Sequence, residues 1–110
     1  MAKRRFTPCI EGCPVEVTLN VIGGKWKGVV LYHLFKQNVL RFGELRKRMT
    51  GVTQGMLTTQ LRELERDGLV CRTVFPEVPP KVEYSLSFKG ETLREIIRSL
   101  ERWGVEHRGD

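Results

Sequence analysis

The stretch Glu44-Leu45-Arg46-Lys47-Arg48-Met49-Thr50-Gly51-Val52-Thr53-Gln54-Gly55-Met56-Leu57-Thr58-Thr59-Gln60-Leu61-Arg62-Glu63-Leu64-Glu65-Arg66-Asp67-Gly68 decides the fold. Leu45 and Met49 give a short helix, 44–49, one inner face. Thr50-Gly51-Val52 then makes a tight turn. Thr53 suits an N-cap, because its hydroxyl oxygen can accept from an amide that the first helical turn leaves unpaired. The helix that follows, 54–67, carries Leu57, Leu61 and Leu64 as its core stripe, and Gly68 is a natural C-cap. A short helix, a tight turn and a longer helix form a helix-turn-helix pattern.

Downstream, 69–75 and 82–86 read as strands of a hairpin. Val82, Tyr84 and Leu86 alternate with Glu83 and Ser85, as a half-buried strand requires. The hairpin tip, Pro76–Lys81, stands where a wing would. Upstream, Val39–Phe42 reads as a short strand. Before it, the segment Lys25–Phe35 is apolar almost all round, as expected of a central buried helix. Cys13-Pro14 opens a first helix bearing Val15, Leu19 and Ile22, which Gly23-Gly24 breaks. Ser87 caps a last helix reaching about Glu106, with Leu93, Ile96, Ile97, Leu100 and Trp103 as its stripe. The expected class is mainly α with a small β-hairpin (α+β): a winged helix-turn-helix framed by added N- and C-terminal helices. Residues 1–12 are expected to form a flexible basic arm and 13–110 a single domain.

With Leu57, Leu61 and Leu64 inward, Gly55, Thr59, Arg62 and Arg66 point outward and Thr58 lies on a flank. Gln54, Thr58, Thr59 and Arg62 suit base edges in a major groove, and Gly55 lets the backbone come close. Thr53 and the free amides of the helix N-terminus suit a phosphate. Arg41, Arg46, Lys47 and Arg48 crowd the preceding helix, which crosses the phosphate backbone in this docking geometry. Lys25 and Lys27 open the central helix, where the helix dipole disfavours cations, so a phosphate partner would account for them. In the wing, Pro80 and its neighbours stiffen the tip, and Lys81, with Arg72 nearby, can follow the backbone or the minor groove. Taken alone, such a helix face is also what a solvated structural helix shows. The turn before it and the wing after it favour double-stranded DNA.

Charge agrees. The 110 residues carry 19 Lys or Arg against 13 Asp or Glu, a net +6, which points to a polyanion. The first fifty hold ten of the basic residues and three acidic ones; the rest hold nine and ten. The length suits one domain. No apolar run approaches a membrane span, no signal peptide is evident, and three cysteines are too few for a secreted disulfide framework, so a cytoplasmic protein is expected. An enzyme reading would rest on Cys13 with His33 or His107, and neither histidine has a recognisable carboxylate partner. An interaction module that has lost DNA binding fits poorly with the basic outer face. No cofactor or metal is expected.

Cys13-Pro14-Val15, Ile22-Gly23-Gly24-Lys25-Trp26, Arg41-Phe42-Gly43-Glu44-Leu45, Met56-Leu57-Thr58, Leu61-Arg62-Glu63-Leu64, Asp67-Gly68-Leu69-Val70 and Val78-Pro79-Pro80-Lys81-Val82-Glu83-Tyr84-Ser85-Leu86 together resemble the HxlR-type winged helix-turn-helix regulators of bacteria, over about 13–107. The resemblance implies a transcriptional regulator, expected as a repressor, that binds inverted-repeat operator DNA as a homodimer built from the first and last helices. Val15, Leu19, Leu93, Ile96, Ile97, Leu100 and Trp103 are the interface residues this implies. Such a dimer sets its readers about 34 Å apart, one turn of DNA.

Family members often carry a cysteine just before the first helix, and some use it to sense oxidants or electrophiles; Cys13 occupies that position. A helix N-terminus stabilises a thiolate, and Lys3, Arg4 and Arg5 would add to this. The alternative, a small packing residue or N-cap, stays beside it. Cys9 departs from the pattern: with Cys13 it makes a resolving pair or half a metal site, and two thiolates without a nearby His are too few for zinc. Cys71, in a strand, reads as structural. The identity of any effector is not legible.

Overall fold

The computed structural model describes residues 12–109; the expected arm, Cys9 included, lies outside them. In chain order the elements are α1 (Pro14–Ile22), α2 (Lys27–Gln37), β1 (Val39–Leu40), α3 (Phe42–Arg48), α4 (Gln54–Arg66), β2 (Val70–Phe75), β3 (Lys81–Leu86), α5 (Phe88–Glu91) and α6 (Arg94–His107). The strands form one antiparallel sheet in the order β1-β3-β2. Leu40 and Arg72 both pair with Tyr84, from opposite sides of β3.

The core gathers around α2, whose Val30, Leu31 and Leu34 are fully buried. Leu45 and Met49 reach it from α3, Leu57, Leu61 and Leu64 from α4, and Leu40, Val70 and Tyr84 from the sheet. Two local devices fix the helix-turn-helix. Gly51 takes φ +93° in the turn, a conformation that L side chains rarely adopt. At the end of α4 the Leu69 amide donates to the Leu64 carbonyl and the Gly68 amide to that of Glu65, both at 2.9 Å, with Gly68 at φ +78°. This Schellman arrangement stops the helix and turns the chain into β2.

Three boundaries depart most from expectation. α3 starts at Phe42, because the Glu44 carboxylate accepts from the Arg41 amide at 2.8 Å and caps the helix there. α2 starts at Lys27, two residues late, which leaves Lys25 in the preceding turn. The single last helix is two. Ser87 does cap a helix, its Oγ accepting from the Gly90 amide at 3.0 Å, but that helix, α5, ends at Glu91. The amides of Thr92 and Leu93 donate three residues back, to Lys89 and Gly90, and this tighter turn redirects the chain into α6.

Candidate nucleic-acid interface

The Thr53 hydroxyl caps α4, accepting from the Met56 amide at 3.1 Å. Beyond that cap Gln54, Gly55, Thr59, Arg62 and Arg66 are all exposed, as the phase of the leucine stripe requires. Thr58 is half-buried, and its hydroxyl donates back to the Gln54 carbonyl at 2.8 Å. Arg66 lies beside Asp67 at 3.3 Å. Arg41, Arg46, Lys47 and Arg48 are exposed around α3, and Arg48 also donates to the Glu44 carbonyl at 3.0 Å. Lys25 is exposed, its ammonium 4.6 Å from the centre of the Trp26 ring.

Lys27 does not face outward. It falls in the buried stripe Lys27, Val30, Leu31 and Leu34, and its ammonium meets the Glu63 carboxylate of α4 at 2.6 Å. Its spacing, three and four residues before Val30 and Leu31, puts it there, so it ties α2 to the back of the reader and is no phosphate contact of a folded chain. The hydrogen bond and charge of Lys27 hold the Glu63 carboxyl below its ordinary pKa of 4.5. A group with a lowered folded pKa contributes stability that is present above the ordinary value and is lost as pH falls through the lowered one. Melting followed from about pH 6 down to about pH 3 is therefore expected to fall more steeply for the unmodified protein than for Lys27→Met; parallel curves would show that the pair contributes nothing.

The wing is also more self-contained than its sequence suggested. Pro76–Pro80 are exposed, but the Lys81 ammonium lies 4.0 Å from Glu77, 3.7 Å from Glu83 and 4.6 Å from the centre of the Phe75 ring. Lys81 is thus partly neutralised before any phosphate arrives. Arg72, which the sequence places only near Lys81, lies opposite Tyr84. Directly paired residues share a face of the sheet, so Arg72 stands on the same side as buried Tyr84. The alternation Val70, Arg72, Val74 carried that signal.

The expected interface residues divide. Leu93 and Ile97 belong to the chain's own core, at 7% and 4% exposure. Val15, Leu19, Ile96, Leu100 and Trp103 are exposed, and Val17 and Val105 join them. A single amphipathic stripe cannot show where a chain's own core ends and a partner's begins. The Tyr32 hydroxyl joins α2 to α6, donating to Glu101 at 3.0 Å, which raises the tyrosine's pKa. Cys13 is half-buried at the N-cap of α1. Among the described residues no group of three or more His, Cys, Asp or Glu could hold a metal, and no helix is long and apolar enough to cross a membrane.

A capped reader helix, a glycine turn and a three-stranded wing sheet are what a helix-turn-helix regulator presents, and residues 21–110 match the HxlR-like helix-turn-helix family. The chain belongs to the HxlR family. Two HTH-type transcriptional regulators of Bacillus subtilis are similar to it: YdeP, 56% identical over 89% of this chain and 76% of its own, and YybR, 53% identical over 96% and 84%. The structure of the redox regulator HypR in its oxidised form superposes with a TM-score of 0.83 at 54% identity, covering 86% of this chain and 97% of that one. This HxlR protein is accordingly a DNA-binding transcriptional regulator with a winged helix-turn-helix fold.

Proposed function

We propose that this regulator is a repressor that binds inverted-repeat operator DNA as a homodimer and answers to oxidants or electrophiles through Cys13. The exposed face of α4 carries the reading: Gln54 and Thr59 meet base edges, Gly55 admits the groove wall, Arg62 reaches outward beside them, and Thr58 works from the flank. Thr53, Arg41, Arg46, Lys25 and Arg66 supply phosphate contacts, with Pro80 and Lys81 following from the wing. The uncovered apolar residues of α1 and α6 support the dimer. DNA reading places the protein in the cytoplasm, and no cofactor enters the scheme.

The redox element rests on Cys13 at the α1 N-terminus and on the likeness to HypR. A Cys13 thiolate attacking hydrogen peroxide yields a sulfenic acid and hydroxide; a second thiol, such as Cys9, then closes a disulfide with loss of water. That closure at the base of the dimer helices changes the spacing of the readers.

Selection of bound sequences from random duplex DNA, with reduced and with peroxide-treated protein, tests the proposal. The reduced protein is expected to enrich an inverted repeat with half-sites one helical turn apart, and Cys13→Ser is expected to lose the difference between the two arms. Absence of any enriched sequence would overturn the DNA-reading function; identical selections for oxidised and reduced protein would overturn the Cys13 switch alone.

A further inference from the structure

A cleft of about 350 Å³ opens between α4 and the inner face of the wing sheet. Thr58, Leu61, Arg62 and Glu65 line it from α4, Arg72 and Tyr84 from the sheet, and Phe42 from α3. Arg72 stands where the inward alternation of β2 calls for an apolar residue, since Val70 and Val74 flank it on the same face. A leucine or valine there would continue that apolar face; a long cation lines an open cleft. Among the described residues neither Arg62 nor Arg72 has a carboxylate within ion-pair distance, unlike Lys27, Arg66, Lys81, Arg94 and Arg98.

We propose that Arg62 and Arg72 clamp one phosphodiester of the DNA backbone in this cleft. The inference rests on the DNA-reading function above and names a contact of that same surface. With α4 in the major groove and the wing along the neighbouring minor groove, the strand dividing the two grooves runs across the gap between reader and wing. Two guanidinium forks on facing walls present donors to both free oxygens of such a phosphate. The charge count selects the occupant. Two arginines against the single carboxylate of Glu65 leave one net positive charge, which matches a phosphodiester monoanion better than the dianion of a free phosphate ester. Arg62 then fixes the register of the reader, and sequence discrimination falls to Gln54 and Thr59.

Binding is measured with the operator obtained by selection and with a scrambled duplex, over a range of salt, for the full chain and for Arg62→Gln, Arg72→Gln and the double variant. Arg72→Gln is expected to weaken both duplexes by a similar factor, on the order of tenfold, and to lower the salt slope by less than about one, since Arg62 still meets the phosphate, leaving the preference for the operator intact. The double variant is expected to lower the slope by no more than about one, because both arginines hold the same phosphate. A neutral methylphosphonate at the backbone position between the grooves is expected to weaken the unmodified protein and leave the double variant unaffected. Arg72→Lys, which keeps the charge and loses the fork, is expected to fall between, and serves if the glutamine variants fold poorly. Unchanged binding by Arg72→Gln, or a preference lost at one base pair, would overturn the clamp while leaving DNA reading in place. If the unmodified protein binds neither duplex, the DNA-reading function fails and takes the clamp with it. Inorganic phosphate is tested at matched ionic strength. Tight binding to Arg62 and Arg72, with DNA affinity unchanged in the variants, would assign the cleft to a small phosphorylated ligand instead.

Discussion

Replacing Leu100 and Trp103 together by glutamate is expected to yield a folded monomer that holds operator DNA about a hundredfold or more weakly. Leu100 and Trp103 are 55% and 65% exposed, so neither supports the chain's own core. Val15, Val17 and Leu19 of α1 are as uncovered, and only Ile22 of that helix is buried. The Trp103 ring also stacks on His107 with centres 4.1 Å apart, and His107 Nδ1 lies 2.8 Å from the Trp103 carbonyl oxygen. An exposed aromatic on an apolar helix face has the character of an interface anchor. In a two-fold dimer each substitution enters twice. A monomer reaches one half-site and forfeits the gain from tethering two readers, which sets the expected loss. Sedimentation equilibrium and far-UV circular dichroism check it. A variant that remains dimeric, or a monomer with full affinity for the operator, would show that this face does not assemble the regulator.

Two Gly→Ala substitutions are expected to act in opposite directions. At Gly90, a Cβ would overlap the Leu69 carbonyl oxygen and crowd the Leu86 side chain at 3.1 Å. The backbone there has little freedom to yield, since the Leu69 carbonyl accepts from the Ser87 amide at 3.1 Å and the Ser87 hydroxyl donates to the Gly68 carbonyl at 2.5 Å. Gly90→Ala is expected to cost about 1–3 kcal/mol or more, each kcal/mol lowering the melting temperature by about 4–8 °C. Because α5 carries α6, DNA binding falls with it. At Gly55, nothing lies within 4 Å of an added Cβ, so Gly55→Ala is expected to stabilise α4 by about 0.5–1 kcal/mol. It is nevertheless expected to weaken DNA binding, because the new methyl group stands where the groove wall approaches. Thermal melting and an equilibrium titration on the same samples separate the two effects. A Gly55→Ala protein that binds as well as the unmodified one would remove Gly55 from the interface.

The elements that position the reader were legible because each is punctuated locally. Thr53 caps, Gly51 turns and Gly68 stops, and these depend on neighbours a few residues away. What escaped depends on neighbours distant in sequence. The stripe Leu93, Ile96, Ile97, Leu100 and Trp103 lies wholly beyond the tighter turn at Thr92, so its spacing carries no mark of the break between α5 and α6. Lys27 reads as a surface cation because its partner, Glu63, lies thirty-six positions on. Its place three and four residues before Val30 and Leu31 was a signal, but apolar stripes are not searched for lysines. Lys81 was legible in part: Glu83, two residues away in a strand, shares its face and meets it. The cleft of Arg62 and Arg72 needs the packing of α4 on β2, which no local pattern encodes.

Equilibrium titration of the selected operator at several salt concentrations decides whether the outward face of α4 meets DNA. The unmodified protein is expected to lose on the order of 10³-fold or more in affinity between about 50 and 200 mM salt, as six or more phosphate contacts require. Thr59→Glu is expected to abolish the preference for the operator over a scrambled duplex without altering the melting temperature. Affinity that ignores salt, or a Thr59→Glu protein with its preference intact, would show that this face does not read DNA.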